Sequence, residues 1–132
     1  MDRKWLWIGV GIAFWVVGAL ALHALAPVMF DGGARHALLF ALNFALAPAS
    51  LWLLGKLFRQ PLHRMLVPVA LMAMPAMLMD GVAVTLDIAG ATRIYSGVPT
   101  LAGYSGGLLL FAFWGFFFWA LLWHRPEGAR AG

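Results

Sequence analysis

Apolar residues fill four long stretches of the chain, each bounded by charged residues, glycine or proline. A bilayer core of about 30 Å takes about 20 residues of helix. The stretches at about 5–26, 36–58, 65–86 and 105–123 all reach that length. The chain is therefore predicted to be all-α, a polytopic bundle of four transmembrane helices in a single domain covering 1–132. The connections are short. Residues 28–35 hold Asp31-Gly32-Gly33, a turn signal, and residues 59–64 hold Pro61. The longest, 88–104, is rich in Gly, Thr and Ser and contains Pro99.

The first stretch imitates a secretory signal, with Arg3 and Lys4 ahead of an apolar run that closes on Ala24-Leu25-Ala26. The run is longer than the about 7–15 residues of a signal core, and Pro27 would follow the cut. A retained first helix is expected.

Composition agrees with this pattern. The chain has 132 residues, of which 64% are apolar and 11% charged. An ordinary soluble domain is about 45–50% apolar and about 25% charged. A soluble fold of this size could not hide so much apolar surface. A soluble globular protein, a disordered tail and a disulfide-stapled domain are thereby excluded. There is no cysteine, which removes disulfides, thiolate metal sites and a cysteine nucleophile from consideration. The formal net charge is +4. Its Lys and Arg residues are scattered at segment ends with no basic helix face, so nucleic acid is not an expected partner. The expected partner is the lipid bilayer.

The same basic residues predict orientation. Arg3, Lys4, Lys56, Arg59, Arg64, Arg125 and Arg130 share one side of a four-span topology, and only Arg35 and Arg93 lie on the other. The positive-inside bias puts both termini in the cytoplasm of a bacterial cell, with the chain as a multi-pass inner-membrane protein. Trp5, Trp7, Trp119 and Trp123 then form an inner aromatic belt, and Tyr95 and Tyr104 lie near the outer interface.

Small residues suggest how the helices meet. Ala37, Ala41, Ala45 and Ala49 recur every four residues, and Gly11 and Gly18 lie seven apart. Such stripes let helix backbones approach in lipid, and an internal contact is expected for them ahead of a homodimer contact. Pro48, Pro68 and Pro75 fall inside spans, where neighbouring helices must satisfy the freed carbonyls.

Polar residues inside spans are costly and mark candidate sites. Asp80 lies sixteen residues beyond Arg64, about 24 Å along a helix. Asn43 lies about 12 Å and His23 about 6 Å below the same outer edge. His36, Asn43 and Ser50 repeat every seven residues, as do Asp80 and Asp87. The outer halves of the first three helices are therefore expected to converge on a polar pocket of His23, Asn43 and Asp80. His36, Asp87, Arg93 and Tyr104 would form its mouth, with Arg93 as ion-pair partner of Asp87. A structural Asp80, bonded to Asn43 or to a proline-freed carbonyl, stands beside the pocket as an alternative.

No metal or cofactor is expected. The thioethers of Met65, Met72, Met74, Met77 and Met79 suit Cu(I), but alternate positions on a helix do not share a face. A bis-histidine haem would require the rings of His23 and His36 to face each other across helices. The chain carries no Ser–His–Asp elbow, HExxH or phosphate loop, so no enzyme is expected.

Met79-Asp80-Gly81, Pro99, Gly106-Gly107 and Phe113-Trp114-Gly115 together resemble an uncharacterised family of small bacterial membrane proteins with four helices. The likeness covers about a third of the chain, and Val98-Pro99-Thr100 departs from the family's usual loop. The resemblance implies the four-helix architecture and singles out Asp80. Two functions follow as expectations. One is an outward-facing pocket at Asp80 that binds or transports a small solute or proton, as a homodimer if it transports. The other is a non-catalytic accessory or assembly subunit of a larger membrane complex.

Overall fold

The structure, a computed structural model, describes residues 3–30 and 33–125. It holds four helices: α1 (Arg3–Met29), α2 (Ala34–Leu57), α3 (Leu66–Ile88) and α4 (Pro99–Trp123). A single 3-10 turn, Leu62–Arg64, joins α2 to α3. All four helices are long and apolar enough to cross a membrane. Asp31 and Arg130 lie outside the described residues.

The helix ends of α1 to α3 fall within three residues of expectation, but α4 begins six residues earlier than expected, at Pro99. Proline suits the first helical position because the amide it lacks has no partner there. The run 99–104, with Gly103, is thus helix rather than loop. Pro68 sits in the first turn of α3, where a missing amide costs nothing. Pro48 and Pro75 lie in helix interiors.

The packing order differs from the chain order. α3 lies between α1 and α4, and α2 packs on another side of α4 while scarcely touching α1. Glycine sets two of these approaches. A Cβ added at Gly11 would come within 2.1 Å of the Met72 carbonyl, so α1 meets the α3 backbone directly. Gly18 faces the side chain of Leu109 on α4. The buried face of α3 runs through Val69, Met72, Ala73, Ala76, Asp80, Ala83 and Asp87, so mostly small residues face its neighbours.

The alanine stripe corrects an expectation. Ala37, Ala41, Ala45 and Ala49 are all exposed rather than buried in a helix seam. α2 instead packs through Phe44, Ala47, Leu51 and Gly55. Phe44 lies over the recess at Gly115 and against Phe111, Trp114, Phe118 and Trp119, with ring centroids 5.4–6.3 Å apart. Aromatic rings bury more area than an alanine row and add specific ring contacts, so the seam forms on their face. Trp7 also departs from the expected belt. It is buried edge-on against Phe58 at 5.1 Å, while Trp5 stays exposed.

Because α1 and α2 barely meet, a groove of about 280 Å³ lies between them, with α4 as its floor. Phe14, Leu39, Asn43, Ala47, Leu108 and Phe116 help to line it. Ser50, also on its wall, bonds the Leu46 carbonyl at 3.0 Å.

Candidate functional site

Asp80 sits on the inward face of α3 and is 1% exposed. Its carboxylate lies beside Gly106 of α4, where an added Cβ would stand 3.5 and 3.6 Å from the two oxygens. The same Cβ would come within 2.2 Å of Val84 Cγ2. Glycine at this position lets α4 close against Val84, one turn beyond the acid.

The partner of Asp80 comes from the α3–α4 connection. The Tyr95 hydroxyl donates to Asp80 Oδ1. Tyr95 is 1% exposed and lies edge-on to Trp15 of α1, with ring centroids 6.4 Å apart. Asp80 Oδ2, Trp15 Nε1 and the hydroxyl of Ser105, next to Gly106, are buried without a hydrogen bond of full geometry, as is Trp119 Nε1 elsewhere on α4. The Trp15 indole lies close enough to Asp80 to act as a second donor to it.

A second acid explains why the connection folds inward. Asp87, two turns along α3 and 2% exposed, accepts four hydrogen bonds. Thr92 Oγ1 donates to its Oδ1 at 2.6 Å and the Ile94 amide at 2.8 Å. The amides of Tyr95 and Ser96 donate to its Oδ2 at 2.7 and 3.3 Å. α3 ends on Gly90, whose φ of 75° is a left-handed conformation that glycine adopts freely. The chain then wraps around Asp87 and drops Tyr95 between the helices. From α1, His23 Nδ1 donates to the Ile94 carbonyl at 3.0 Å, which places a proton on that nitrogen. Burial pushes the Tyr95 hydroxyl well above the ordinary tyrosine pKa, and its bond to Asp80 adds to the shift.

The residues expected to share one pocket are distributed over separate places. Asp80, Asp87 and His23 meet the 89–98 segment. Asn43 does not reach Asp80, because α2 packs on α4 rather than on α3, and its amide faces the α1–α2 groove. His36 lies among Phe30, Phe40 and Tyr104, 4.4 Å from the Tyr104 ring centroid. Tyr104 is 38% exposed. Arg93 is not the ion-pair partner of Asp87, since four nearer donors from its own loop fill the carboxylate. It lies exposed along Gly97. Among the described residues, no group of three or more His, Asp or Glu side chains could hold a metal ion.

Sequence reasoning placed Tyr95 at an interface and missed it as the partner of Asp80. It also missed Trp15 and Ser105. The available signal was Ile94-Tyr95, an apolar pair inside an otherwise small and polar connection. Comparison of the chain with protein-family models, curated proteins and solved structures gave no match.

Proposed function

We propose that this protein is a small multi-pass protein of the bacterial inner membrane, with cytoplasmic termini, that binds and releases a proton at Asp80. The burial of Asp80 carries this reading: a carboxylate inside a span, 1% exposed, held by the Tyr95 hydroxyl with the indole of Trp15 as a further donor beside it. Such intramembrane acids are functional candidates by default. The proton is preferred to a larger solute on grounds of space. Neither the α1–α2 groove nor the shallow hollow beside Gly81 is lined by Asp80. Tyr95 supplies a hydroxyl that can donate to the acid or pass a proton on. The positive-inside count of the sequence supports the orientation and puts Asp80 nearer the outer surface.

Infrared spectroscopy of the reconstituted protein tests the reading. A protonated-carboxyl band that changes reversibly with pH in the wild type and is missing from Asp80→Asn is expected. A spectrum whose carboxyl region is the same in both proteins at every pH would refute it.

A second reading, a non-catalytic accessory subunit or a homodimer, is favoured by the outward alanines of α2. Native mass in mild detergent separates the two assemblies. An oligomer that survives Asp80→Asn and is lost in Ala41→Leu would support it.

A further inference from the structure

The end of the bundle opposite the 89–98 segment gathers cations from separate parts of the chain. Arg3 and Lys4 open α1, Lys56 ends α2, Arg59 and Arg64 lie in the connection to α3, and Arg125 follows α4. All six are exposed. The two carboxylate residues among the described residues, Asp80 and Asp87, belong to the other half of α3.

Arg59 is built into this collar at a conformational cost. Its φ is 51°, and it is the only non-glycine residue described with a positive φ. The end of α2 is closed by the Phe58 amide on Leu54 at 3.0 Å and the Gln60 amide on Gly55 at 2.7 Å. Glycine normally occupies the left-handed position after a helix, because a Cβ is strained there. α3 follows that rule with Gly90, whereas α2 carries an arginine. Strained residues persist where the surrounding structure holds them, and they cluster at ligand-binding sites. Arg59 is exposed and makes no side-chain hydrogen bond among the described residues. Its neighbours are held in place: Arg3 donates to Gln60 Oε1 at 3.3 Å, and Lys56 Nζ lies 4.5 Å from the centre of the half-exposed Trp52 ring. Tryptophan at a span end marks the headgroup level.

We propose that this collar binds the phosphate of anionic phospholipids, with Arg59 as the residue that engages the headgroup. Guanidinium matches phosphate geometry by bidentate bonding, and basic clusters at the ends of spans are drawn to anionic lipid. The proposal is independent of any proton binding at Asp80.

The test uses the purified full chain in mild detergent. Binding of phosphatidylglycerol and of phosphatidylcholine with the same acyl chains is followed by native mass spectrometry. The wild type is expected to retain phosphatidylglycerol in preference. Arg59→Gly and Arg59→Gln are each expected to weaken that binding by about fivefold. Arg59→Gly relieves the left-handed strain, so it should unfold at no lower temperature than the wild type in the absence of lipid. That result separates a lost ligand from a lost fold. Equal retention of the two lipids by the wild type would overturn the proposal, as would unchanged phosphatidylglycerol binding in both Arg59 variants. Displacement of phosphatidylglycerol by an equal concentration of inorganic phosphate would assign the collar to a soluble anion and overturn it as well.

Discussion

Asp87 holds the 89–98 segment by accepting from Thr92, Ile94, Tyr95 and Ser96, and the position of Tyr95 depends on it. Hydrogen bonds to a charged group are each worth about 1.5–3 kcal/mol, and a set sharing one carboxylate does not add fully. Asp87→Ala should therefore cost about 3 kcal/mol or more and free the segment. The chain has no cysteine, so Ser96→Cys gives a single labelling site. Its reaction with a water-soluble maleimide should rise sharply when Asp87→Ala is added. Tyr95→Phe keeps the ring against Trp15 but removes the hydroxyl from Asp80. It should lower stability in detergent by about 1–3 kcal/mol, the cost of leaving a buried polar group unmet. The phenol also sets an alkaline limit. Its folded pKa is raised, so its contribution is complete below the ordinary tyrosine value of about 10 and is lost as pH climbs above it. Wild-type stability should fall in that range, and Tyr95→Phe should flatten the fall. Burial of Asp80 was legible in the sequence because a carboxylate inside a span is too costly to leave in lipid. Tyr95 as its partner was not, because the fold of the 89–98 segment is set by contacts to Asp87 that no local periodicity encodes.

At the level of helices, glycine sets the close approaches at Gly11 and Gly106, and the alanine row of α2 faces outward. Gly11→Ala would drive a methyl into the Met72 backbone. Backbone cannot swing aside as a side chain can, so α1 must separate from α3, at a cost in the upper part of the about 1–3 kcal/mol usual for overpacking. Gly106→Ala collides instead with Val84 Cγ2 at 2.2 Å, a side-chain atom. Val84→Ala should recover most of that loss, a non-additive pair that thermal unfolding of the two single variants and the double would reveal. Ala41→Leu lies on an exposed face and should leave the stability of the isolated bundle within about 0.5 kcal/mol. The four spans were legible from length and hydropathy alone. Which face of α2 turns inward was not, since alanine every fourth residue serves a neighbouring helix or an open surface equally well. Phe44, opposite the recess at Gly115, decides it. The early start of α4 was hidden by Pro99 and Gly103, which read as loop in isolation, although proline suits the first position of a helix.

Over the whole molecule, the polar chemistry divides between the two ends. Among the described residues, both carboxylates face the interior near the 89–98 segment, and the cationic collar lies at the opposite end. This asymmetry gives the orientation a direct measurement. If the termini are cytoplasmic, Ala91→Cys, at an exposed position of the same connection, should react with a membrane-impermeant maleimide from outside intact cells, and Gln60→Cys should not. Arg35 and Arg93 are too few to oppose the bias. The packing order also has a bearing on biogenesis. Helices leave the ribosome in the order of the chain, yet α1 finds its main neighbour only when α3 arrives, and α2 only when α4 does. If the helices insert as spans in that order, the first hairpin is a pair of near strangers. A translation product arrested before α4 would then leave α2 without its main neighbour.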